Sequence, residues 1–333
     1  MSELSAGARA RANIALAKYW GKADEALNLP AVPSVSITLD PLVTHTRVRF
    51  DASLAGDRFL LDGAPANAKE LARVGALLDR VRAEAGLSQR AEVVSTNDFP
   101  TAAGLASSAS GFCALSAAAR AAAGLPFDLA VISAMARRAS VSAARSAYGG
   151  YVELPLCEPS ALAPDAHAAV PLCPPEHWPL RVVVAVTAEG RKKVGSTGGM
   201  IHTAATSPFY GAWVESSPEL AAQVRAGIVA RDLVRVGEAM EASTLAMHAC
   251  AMAARPTVIY FQPPTLAVLA AVRALREEQG IAVYATADAG PHVKALCHAD
   301  DAPRVAQTLG ATEGVLRTLT AEPGPGVELE AEA

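Results

Sequence analysis

The sequence predicts an α+β protein built as two lobes that share a cleft. Three observations support this fold class. Segments with strand and helix patterns occur in both halves of the chain. The 333 residues exceed what one typical hydrophobic core contains, and a proline- and alanine-rich stretch over residues 160–179 separates the halves as a surface connection. We therefore predict an N-terminal lobe over residues 1–179 and a C-terminal lobe over residues 180–333.

The N-terminal half begins with strands. Apolar and polar residues alternate between Ala10 and Val48, as expected for a sheet with one buried face. A helix is predicted over Ala68–Ala85, where apolar residues recur every three or four positions and Gly86 provides the stop. The next strand is A-E-V-V-S-T, residues 91–96.

Two helices are predicted after this strand. The first extends from about Leu105 to Ala123 and ends at Gly124. Asp128 is a suitable N-cap for the second, D-L-A-V-I-S-A-M-A-R-R, because its carboxylate can accept the free backbone N–H groups of the first turn. The two helices would flank the loop that precedes the first of them.

The C-terminal half also mixes strands and helices. The run L-R-V-V-V-A-V-T, residues 180–187, is typical of a buried strand. Helical segments are predicted near Pro218–Met240 and Thr265–Gln279, followed by an apolar strand, I-A-V-Y-A-T-A, that ends at Asp288. The tail over residues 321–333 is predicted to be a short strand with a loose acidic end.

Composition excludes several classes of function. Apolar residues make up 51% of the chain and charged residues 19%, so a disordered protein is not expected. The net charge of -4 and the scattered lysines and arginines give no reason to bind nucleic acid. No apolar run approaches the roughly 20 residues that cross a bilayer, and the first residues lack the apolar segment of a signal peptide. We expect a cytoplasmic protein with no membrane partner.

Cysteines and histidines do not indicate a metal site. The five cysteines lack C-x-x-C pairs and the seven histidines lack the spacing of metal ligands. We therefore expect any metal to arrive with a nucleotide, and the sequence leaves its ligands unassigned.

One loop has the properties of an anion-binding site. Residues 100–111, P-T-A-A-G-L-A-S-S-A-S-G, combine little bulk and no charge with two adjacent hydroxyls at the start of a helix. Gly104 permits close approach of the backbone, and the helix directs free N–H groups and its positive dipole end at the same place. Phosphate is the expected ligand. The alternative is tight helix packing, since the loop matches neither common glycine-rich phosphate motif.

Two charged residues stand beside apolar strands. Asp288 follows a strand and precedes a Gly-Pro turn, so its carboxylate would be fixed in space; the alternative is a turn-capping role. Lys18 lies within an otherwise apolar strand, where an unpaired ammonium is costly to bury. It therefore needs an anionic partner unless the strand lies at an edge of the sheet. Together the two groups could orient and deprotonate a hydroxyl.

A second polar segment combines hydroxyls with a guanidinium. Ser140, Ser142 and Arg145 lie in S-V-S-A-A-R, with residues 142 and 145 on one helical face, which suits the binding of an oxyanion or carboxylate. A serine-capped helix with a surface arginine is the alternative. Ser196 follows the basic, glycine-rich stretch 190–195, which is either a solvated loop or a segment that closes over a nucleotide.

Several segments, in this order, resemble the diphosphomevalonate decarboxylase family of the GHMP kinase superfamily. They are A-N-I-A-L-A-K-Y-W-G-K (12–22), N-D-F-P-T-A-A-G-L-A-S-S-A-S-G (97–111), S-V-S-A-A-R-S-A-Y-G-G (140–150), K-K-V-G-S-T-G-G-M (192–200), A-M-H-A-C (246–250) and D-A-G-P (288–291). The resemblance covers nearly the whole chain. It implies a two-lobed GHMP kinase fold with an N-terminal lobe like domain 2 of ribosomal protein S5, a ferredoxin-like α/β C-terminal lobe and a deep cleft between them.

The resemblance also implies a reaction. With ATP and Mg²⁺, the family phosphorylates the C3 hydroxyl of mevalonate 5-diphosphate and then expels that phosphate with loss of CO₂, giving isopentenyl diphosphate. Phosphate serves as a leaving group because a tertiary hydroxide leaves poorly. The resemblance further implies a homodimer.

Residue roles carry over by motif. Asp288 matches the aspartate beside the C3 hydroxyl and Lys18 the lysine that supports it, while Arg145, with Ser140, matches the residues around the substrate carboxylate. The remaining substrate-binding positions implied are Tyr19, Lys22, Arg73, Ser142 and Met200. The ATP-binding positions implied are Ser95, Asn97, Gly104, Ser107, Ser108 and Ser196.

The chain departs from the family pattern at three positions. Val141 stands where glycine is usual between the two serines, Ala139 replaces another glycine, and His292 replaces the asparagine usual after D-A-G-P. These changes keep alternatives open: a decarboxylase or 3-kinase that acts on mevalonate 5-phosphate or mevalonate, or a nucleotide-binding protein without catalysis.

Overall fold

The structure is a computed structural model that describes residues 4–99, 107–157, 166–189 and 194–331. Within these ranges it contains fourteen strands and eight α-helices. The strands are β1 (Ser5–Ala17), β2 (Lys22–Asp24), β3 (Leu29–Pro30), β4 (Ser34–Asp51), β5 (Arg58–Leu61), β6 (Ala64–Pro65), β7 (Arg90–Asn97), β8 (Tyr151–Leu154), β9 (Val170–Cys173), β10 (Arg181–Val186), β11 (Val283–Ala287), β12 (Val293–Cys297), β13 (Arg317–Pro323) and β14 (Glu328–Glu330). The helices are α1 (Ala68–Ala85), α2 (Ser107–Ala122), α3 (Leu129–Ala139), α4 (Ser196–Thr206), α5 (Tyr210–Ala230), α6 (Leu233–Met252), α7 (Pro263–Gln279) and α8 (Ala302–Gly310).

A sheet of twelve strands runs through both halves of the chain. Its main path is β11-β12-β10-β13-β4-β7-β5-β6, with β1 paired to β4 and β14, and with β8 joining β4 to β9. The two halves meet where β13 pairs with β4, opposite Asp40 and Leu39. The predicted α+β class with mixed elements in both halves is confirmed. The lobe boundary between residues 179 and 180 stays a prediction.

Local sequence signals explain the first helix. Asn67 caps α1 by accepting the N–H of Glu70, whose side chain accepts the N–H of Asn67 in return, and Gly86 ends the helix in the left-handed conformation. Four apolar residues on one face of α1 are buried: Val74, Leu77, Leu78 and Val81. The predicted bounds Ala68–Ala85 are confirmed.

Other predicted elements are also present. Strand 91–96 lies within β7, and the helix predicted from Leu105 is described from Ser107 onward, as α2. Asp128 caps α3 by accepting the N–H groups of Ala130 and Val131.

Three expectations were wrong. The stretch 160–179 is not only a surface connection, because β9 lies in it, pairs with β8 and is followed by the buried Trp178. The segment predicted near Pro218–Met240 is two helices, α5 and α6, separated at Arg231. The short strand predicted in the tail is confirmed as β14, which pairs with β1, but the expected loose acidic end was wrong, since Glu328 accepts hydrogen bonds from Arg9 and Arg11.

Helices pack against the sheet in both halves. In the N-terminal half α2 lies against β1 and β4, and in the C-terminal half α6 and α7 lie against β11 while α8 contacts β10. One large core joins β1, β4 and β10 to α5 and α6, so the halves share buried apolar surface. None of the described helices is long and apolar enough to span a membrane.

This arrangement brings distant parts of the chain to one place. Lys18 directly follows β1, which packs against α6, and Asp288 directly follows β11, which also packs against α6. Residues from the beginning and the end of the chain therefore meet at the ends of these two strands.

Candidate active site

Lys18 and Asp288 form a direct ion pair. The Lys18 ammonium donates to Oδ1 of Asp288 at 2.7 Å and to the carbonyl oxygen of Ala15 at 3.0 Å. The second carboxylate oxygen, Oδ2, accepts from the Lys294 ammonium at 2.9 Å. We call Lys18, Asp288 and Lys294 the acid–amine cluster.

Exposure differs sharply within the acid–amine cluster. The side chains of Lys18 and Lys294 are each 1% exposed, whereas that of Asp288 is 28% exposed. Both ammonium groups therefore contact the carboxylate from its buried side. The carboxylate is the member of the cluster that a ligand can reach.

Electrostatics keeps this carboxylate ionised. Burial raises the pKa of Asp288, but the charges and hydrogen bonds of the two lysines outweigh burial and hold the pKa well below its usual range. Burial lowers the pKa of Lys18 to about 8, although Asp288 opposes the change. Lys294 and Arg145 lower it further. The charges of Lys18 and Asp288 therefore each favour the ionised form of the other residue.

Arg145 lies close enough to this cluster to interact electrostatically with Asp288 and Tyr19. It sits in a 3₁₀-helical segment, Val141–Ala147, and is buried. Its guanidinium donates to Oγ of Ser34 at 2.6 Å and to Oδ1 of Asn13 at 3.2 Å. Within the described ranges its Nε has no hydrogen-bond partner. The surface-arginine alternative is thus excluded, and a buried donor is left for an anion.

The serines predicted with Arg145 lie beside it. Ser140 ends α3, Ser142 lies in the 3₁₀ segment, and their hydroxyl oxygens are 3.4 Å apart. Asn13 joins this segment to β1, because its side-chain amide donates to the carbonyl oxygen of Ser142 at 3.0 Å. The hydroxyls and the guanidinium are thus held on one short segment.

Apolar residues form the wall next to the charged groups. Tyr19 packs against a cluster containing Val141 and Leu154, and against another containing Trp20 and Met200. Burial raises the pKa of the Tyr19 phenol, and its hydroxyl has no hydrogen-bond partner among the described residues. Val141 is buried among apolar side chains, so its branched side chain fills the core on this side.

Lys22 and Arg73 interact electrostatically with each other. Burial lowers the pKa of Lys22, and Arg73 lowers it further. Arg73 donates to the carbonyl oxygen of Ala139 at 2.7 Å, and its guanidinium lies 4.4 Å from the ring centroid of Phe112. Arg73 also lines a cavity with the predicted nucleotide residues. It therefore lies between the two groups of predicted residues.

That cavity contains four of the predicted ATP-binding residues: Ser95, Asn97, Ser107 and Ser108. The last two begin α2, whose first N–H groups have no partner within the helix. The amide oxygen of Asn97 accepts from Thr44 at 2.6 Å, and its side-chain nitrogen is 3.3 Å from both carboxylate oxygens of Asp62.

The two remaining predicted ATP-binding residues are Gly104 and Ser196. Gly104 lies outside the described residues. Ser196 begins α4, the helix that also contains Met200.

Sequence reasoning missed Lys294. It lies in the apolar run V-K-A-L-C, so the argument that singled out Lys18 applies equally to it. Asn13, a lone amide inside the apolar strand β1, gave a similar signal. Ser243, which accepts the Lys18 backbone N–H at 2.9 Å, gave none because α6 carries no local motif at that position.

His292, one of the departures, is also buried near this site. Its Nδ1 accepts the backbone N–H of Thr187 at 3.1 Å, and its Nε2 has no partner among the described residues. Burial and the neighbouring Lys294 lower the pKa of His292 to about 4, so its ring is neutral at physiological pH.

The described part of the chain contains no group of three or more histidine, cysteine, aspartate or glutamate side chains that could hold a metal ion. The hydroxyl groups of Ser107 and Ser108, which line the cavity at the start of α2, are oxygen ligands of the kind that Mg²⁺ accepts.

Solved structures share this fold along nearly the whole chain. The mevalonate diphosphate decarboxylase of Staphylococcus aureus superimposes with a TM-score of 0.91 at 37% identity, covering 98% of each chain. That of Enterococcus faecalis gives a TM-score of 0.89 at 37% identity, covering 99% of this chain and 100% of the other. A structure of MDDEF in complex with MVAPP, AMPPCP and magnesium gives a TM-score of 0.91 at 38% identity, covering 99% and 100%. Fold and site together define an enzyme of the GHMP kinase fold.

Sequence comparison identifies the family. Residues 10–159 match the diphosphomevalonate decarboxylase-like N-terminal domain, and residues 182–318 match the mevalonate 5-diphosphate decarboxylase C-terminal domain. The diphosphomevalonate decarboxylase of Candida albicans is 35% identical over 314 residues, which cover 90% of this chain and 85% of that protein. The enzyme of Saccharomyces cerevisiae is 34% identical over 310 residues, covering 88% and 77%. The chain belongs to the diphosphomevalonate decarboxylase family.

Proposed function

We propose that this protein converts mevalonate 5-diphosphate and ATP into isopentenyl diphosphate, CO₂, ADP and phosphate. One observation carries the proposal: an ionised, partly exposed carboxylate, held by two buried ammonium groups, interacts electrostatically with a buried guanidinium that has an unused donor. A substrate with a hydroxyl and a carboxylate on neighbouring carbons matches these two groups.

Asp288 and Lys18 act on the hydroxyl. The free edge of the Asp288 carboxylate accepts a hydrogen bond from the C3 hydroxyl and points the oxygen lone pair toward the terminal phosphoryl group of ATP. Because the lysines hold the pKa of Asp288 low, the carboxylate is a weak base before transfer. This suits phosphoryl transfer, whose loose transition state requires little advance deprotonation. Asp288 is therefore first a positioning group, and it takes the proton as the new O–P bond forms.

Arg145 acts on the substrate carboxylate, with Ser140 and Ser142 beside it. Burial lowers the pKa of Arg145 to about 10, so it stays cationic at neutral pH and binds a carboxylate in its ionised form. The C–CO₂ bond then breaks: its electron pair forms the new carbon–carbon double bond, and the phosphate on C3 leaves with its bonding pair. Tyr19 and Met200 form the apolar side of this pocket.

The cavity at the start of α2 binds the nucleotide. Ser107 and Ser108, with the free N–H groups of the first turn, face the phosphates, and Ser95 and Asn97 lie on the adjoining strand. We assign Gly104 to the same phosphate loop and Ser196 to the segment that closes over the nucleotide. Mg²⁺ bound to ATP would neutralise charge on the transferred phosphoryl group, and the hydroxyls of Ser107 and Ser108 are the side chains suited to hold it.

Lys22 and Arg73 favour a substrate with a diphosphate. They supply two positive charges near each other, which suits an anion longer than a monophosphate. The alternatives that remain are a decarboxylase or 3-kinase acting on mevalonate 5-phosphate or mevalonate. Val141, which is buried in an apolar cluster on the segment that carries Ser140 and Ser142, is the departure from the family pattern that makes these substrates worth testing.

The test measures ADP and CO₂ in parallel with ATP, Mg²⁺ and each candidate substrate. Equal amounts of ADP and CO₂ are expected from mevalonate 5-diphosphate, with a lower kcat/KM for the monophosphate and for mevalonate. ADP formation without CO₂ would instead identify a 3-kinase. A higher kcat/KM on the monophosphate would overturn the assignment of Lys22 and Arg73.

The family resemblance further supports a homodimer, a cytoplasmic location and a lobe boundary near residue 180. Sedimentation equilibrium of the purified protein tests the first, since a dimer has twice the monomer mass. Fractionation of cells tests the second, and limited proteolysis near the boundary tests the third.

A further inference from the structure

Lys294 offers an inference beyond the residues already assigned. Its ammonium is buried, donates to Asp288 at 2.9 Å and lies in β12, inside the sheet. Both neighbouring strands fix its backbone, because Lys294 is paired with Thr286 of β11 and with Val184 of β10. A lysine is rarely buried this fully unless a specific partner retains it.

The two lysines bind different oxygens of the same carboxylate. Lys18 takes Oδ1 and Lys294 takes Oδ2. A carboxylate held by one donor can rotate about its last bond, because that torsion has a broad energy minimum. Two donors on opposite oxygens define the plane of the carboxylate and leave its remaining lone pairs facing the open side.

Different parts of the chain hold the two lysines in place. Lys18 follows the end of β1, where its backbone N–H donates to Ser243 and its ammonium also donates to the carbonyl oxygen of Ala15. Lys294 is carried by the strand next to β11, diagonally across from Asp288. The carboxylate is thus located relative to both β1 and the C-terminal part of the sheet.

We propose that Lys294 is a positioning residue that fixes the orientation of the Asp288 carboxylate and keeps it ionised for the hydroxyl of the substrate. This inference rests on the proposed function, because it assigns Lys294 a part in the phosphoryl-transfer step. Lys294 itself does not touch the substrate. Its effect is exerted through Asp288.

The test replaces Lys294 by methionine, which retains length and removes the charge. In Lys294→Met, kcat for ADP formation should fall ~10- to 100-fold, the range for losing one charge-assisted hydrogen bond, while KM for ATP changes little. The alkaline limb of the pH profile of kcat should move to higher pH, because Lys18 loses one of the neighbouring positive charges that lower its pKa. The matched control is Lys69→Met, which removes an exposed lysine at the start of α1 and should leave kcat and the pH profile unchanged.

A second variant guards against misfolding. Lys294→Gln retains a hydrogen-bond donor without the charge, and we expect the same direction of change in the alkaline limb. A purely structural role would lower the melting temperature of both variants and leave the pH profile where it is, which would overturn the inference. So would a kcat equal to that of the unmodified protein.

The readouts separate this inference from the proposed function. If the unmodified protein forms ADP but no CO₂, the proposed decarboxylation is wrong. The rate of ADP formation by Lys294→Met still tests the inference about Lys294 in that case. If the unmodified protein forms both products and Lys294→Met matches it across the pH range, only the inference about Lys294 fails.

Discussion

Replacing Asp288 by asparagine removes the group on which the proposed chemistry depends. The change deletes one negative charge between two ammonium groups that are each 1% exposed. Asparagine can still accept from one lysine through its oxygen, but its NH₂ group cannot accept from the other. The variant therefore loses at least one charge-assisted hydrogen bond, and it loses the carboxylate oxygen that would receive the substrate hydroxyl.

The expected kinetic effect is large. Removing a positioned acid–base group costs ~10²- to 10⁴-fold in rate, so we expect kcat of Asp288→Asn to fall by at least ~10³-fold, or about 4 kcal/mol of transition-state stabilisation. ATP affinity should change little, because the nucleotide cavity is formed by other residues. The assay measures ADP and CO₂ in parallel, with Asp79→Asn, an exposed aspartate on α1, as the matched control.

The same substitution should change stability in a pH-dependent way. Breaking a buried ion pair costs about 3–5 kcal/mol when the remaining charge stays buried. Without Asp288, the pKa of Lys18 falls below its present value of about 8, far from its ordinary value of 10.5. Between the pKa of Lys18 in the folded variant and its ordinary value of 10.5, the folded variant binds fewer protons than the unfolded chain. Its free energy of unfolding therefore rises with pH over this range. A variant that retains kcat within ~10-fold of the unmodified protein would refute the role assigned to Asp288.

Three further predictions follow from the same geometry. Arg145→Lys should lower kcat/KM by ~10²-fold, because one ammonium cannot reach both Ser34 and Asn13 and still bind a carboxylate; unchanged kinetics would contradict this role. In the unmodified protein, kcat should fall as Lys18 loses its proton near pH 8, and an activity that stays constant above pH 8 would contradict the role assigned to Lys18. The contribution of Lys18 to the free energy of unfolding should rise from about pH 8 to 10.5, which urea denaturation at several pH values measures. Val141→Gly should lower the free energy of unfolding by about 1–3 kcal/mol without changing the ratio of kcat/KM for diphosphate and monophosphate substrates, because its side chain packs in an apolar cluster; a changed ratio would show that Val141 sets specificity.

Local signals in the sequence were sufficient where the structure depends on local interactions. Helix α1 was predicted because its apolar spacing and its terminal glycine all lie within about twenty residues. The break between α5 and α6 was missed because Arg231 adopts the left-handed conformation at φ 57°, for which glycine would have been the usual signal. The local signal that was overlooked is Asp232, which caps α6 by accepting the N–H of Arg235.

The site shows the same limit. Lys18 was recognised because a charge inside an apolar strand requires a partner, but local sequence could not identify Asp288, which lies 270 residues away. Resemblance to a family supplied that pairing. Lys294 carried the same signal as Lys18 and belonged to no motif that was singled out. The partners of Arg145, Ser34 and Asn13, come from β4 and β1, and only the folded sheet brings them to the guanidinium.

The most direct measurement is a crystal structure of this protein with mevalonate 5-diphosphate and a non-hydrolysable ATP analogue. We predict that the C3 hydroxyl lies about 2.5–3.0 Å from a carboxylate oxygen of Asp288, the normal range for such a hydrogen bond, with Lys18 and Lys294 still on the opposite side of the carboxylate. A substrate whose hydroxyl faces other residues, with Asp288 bonded only to the two lysines, would contradict the account.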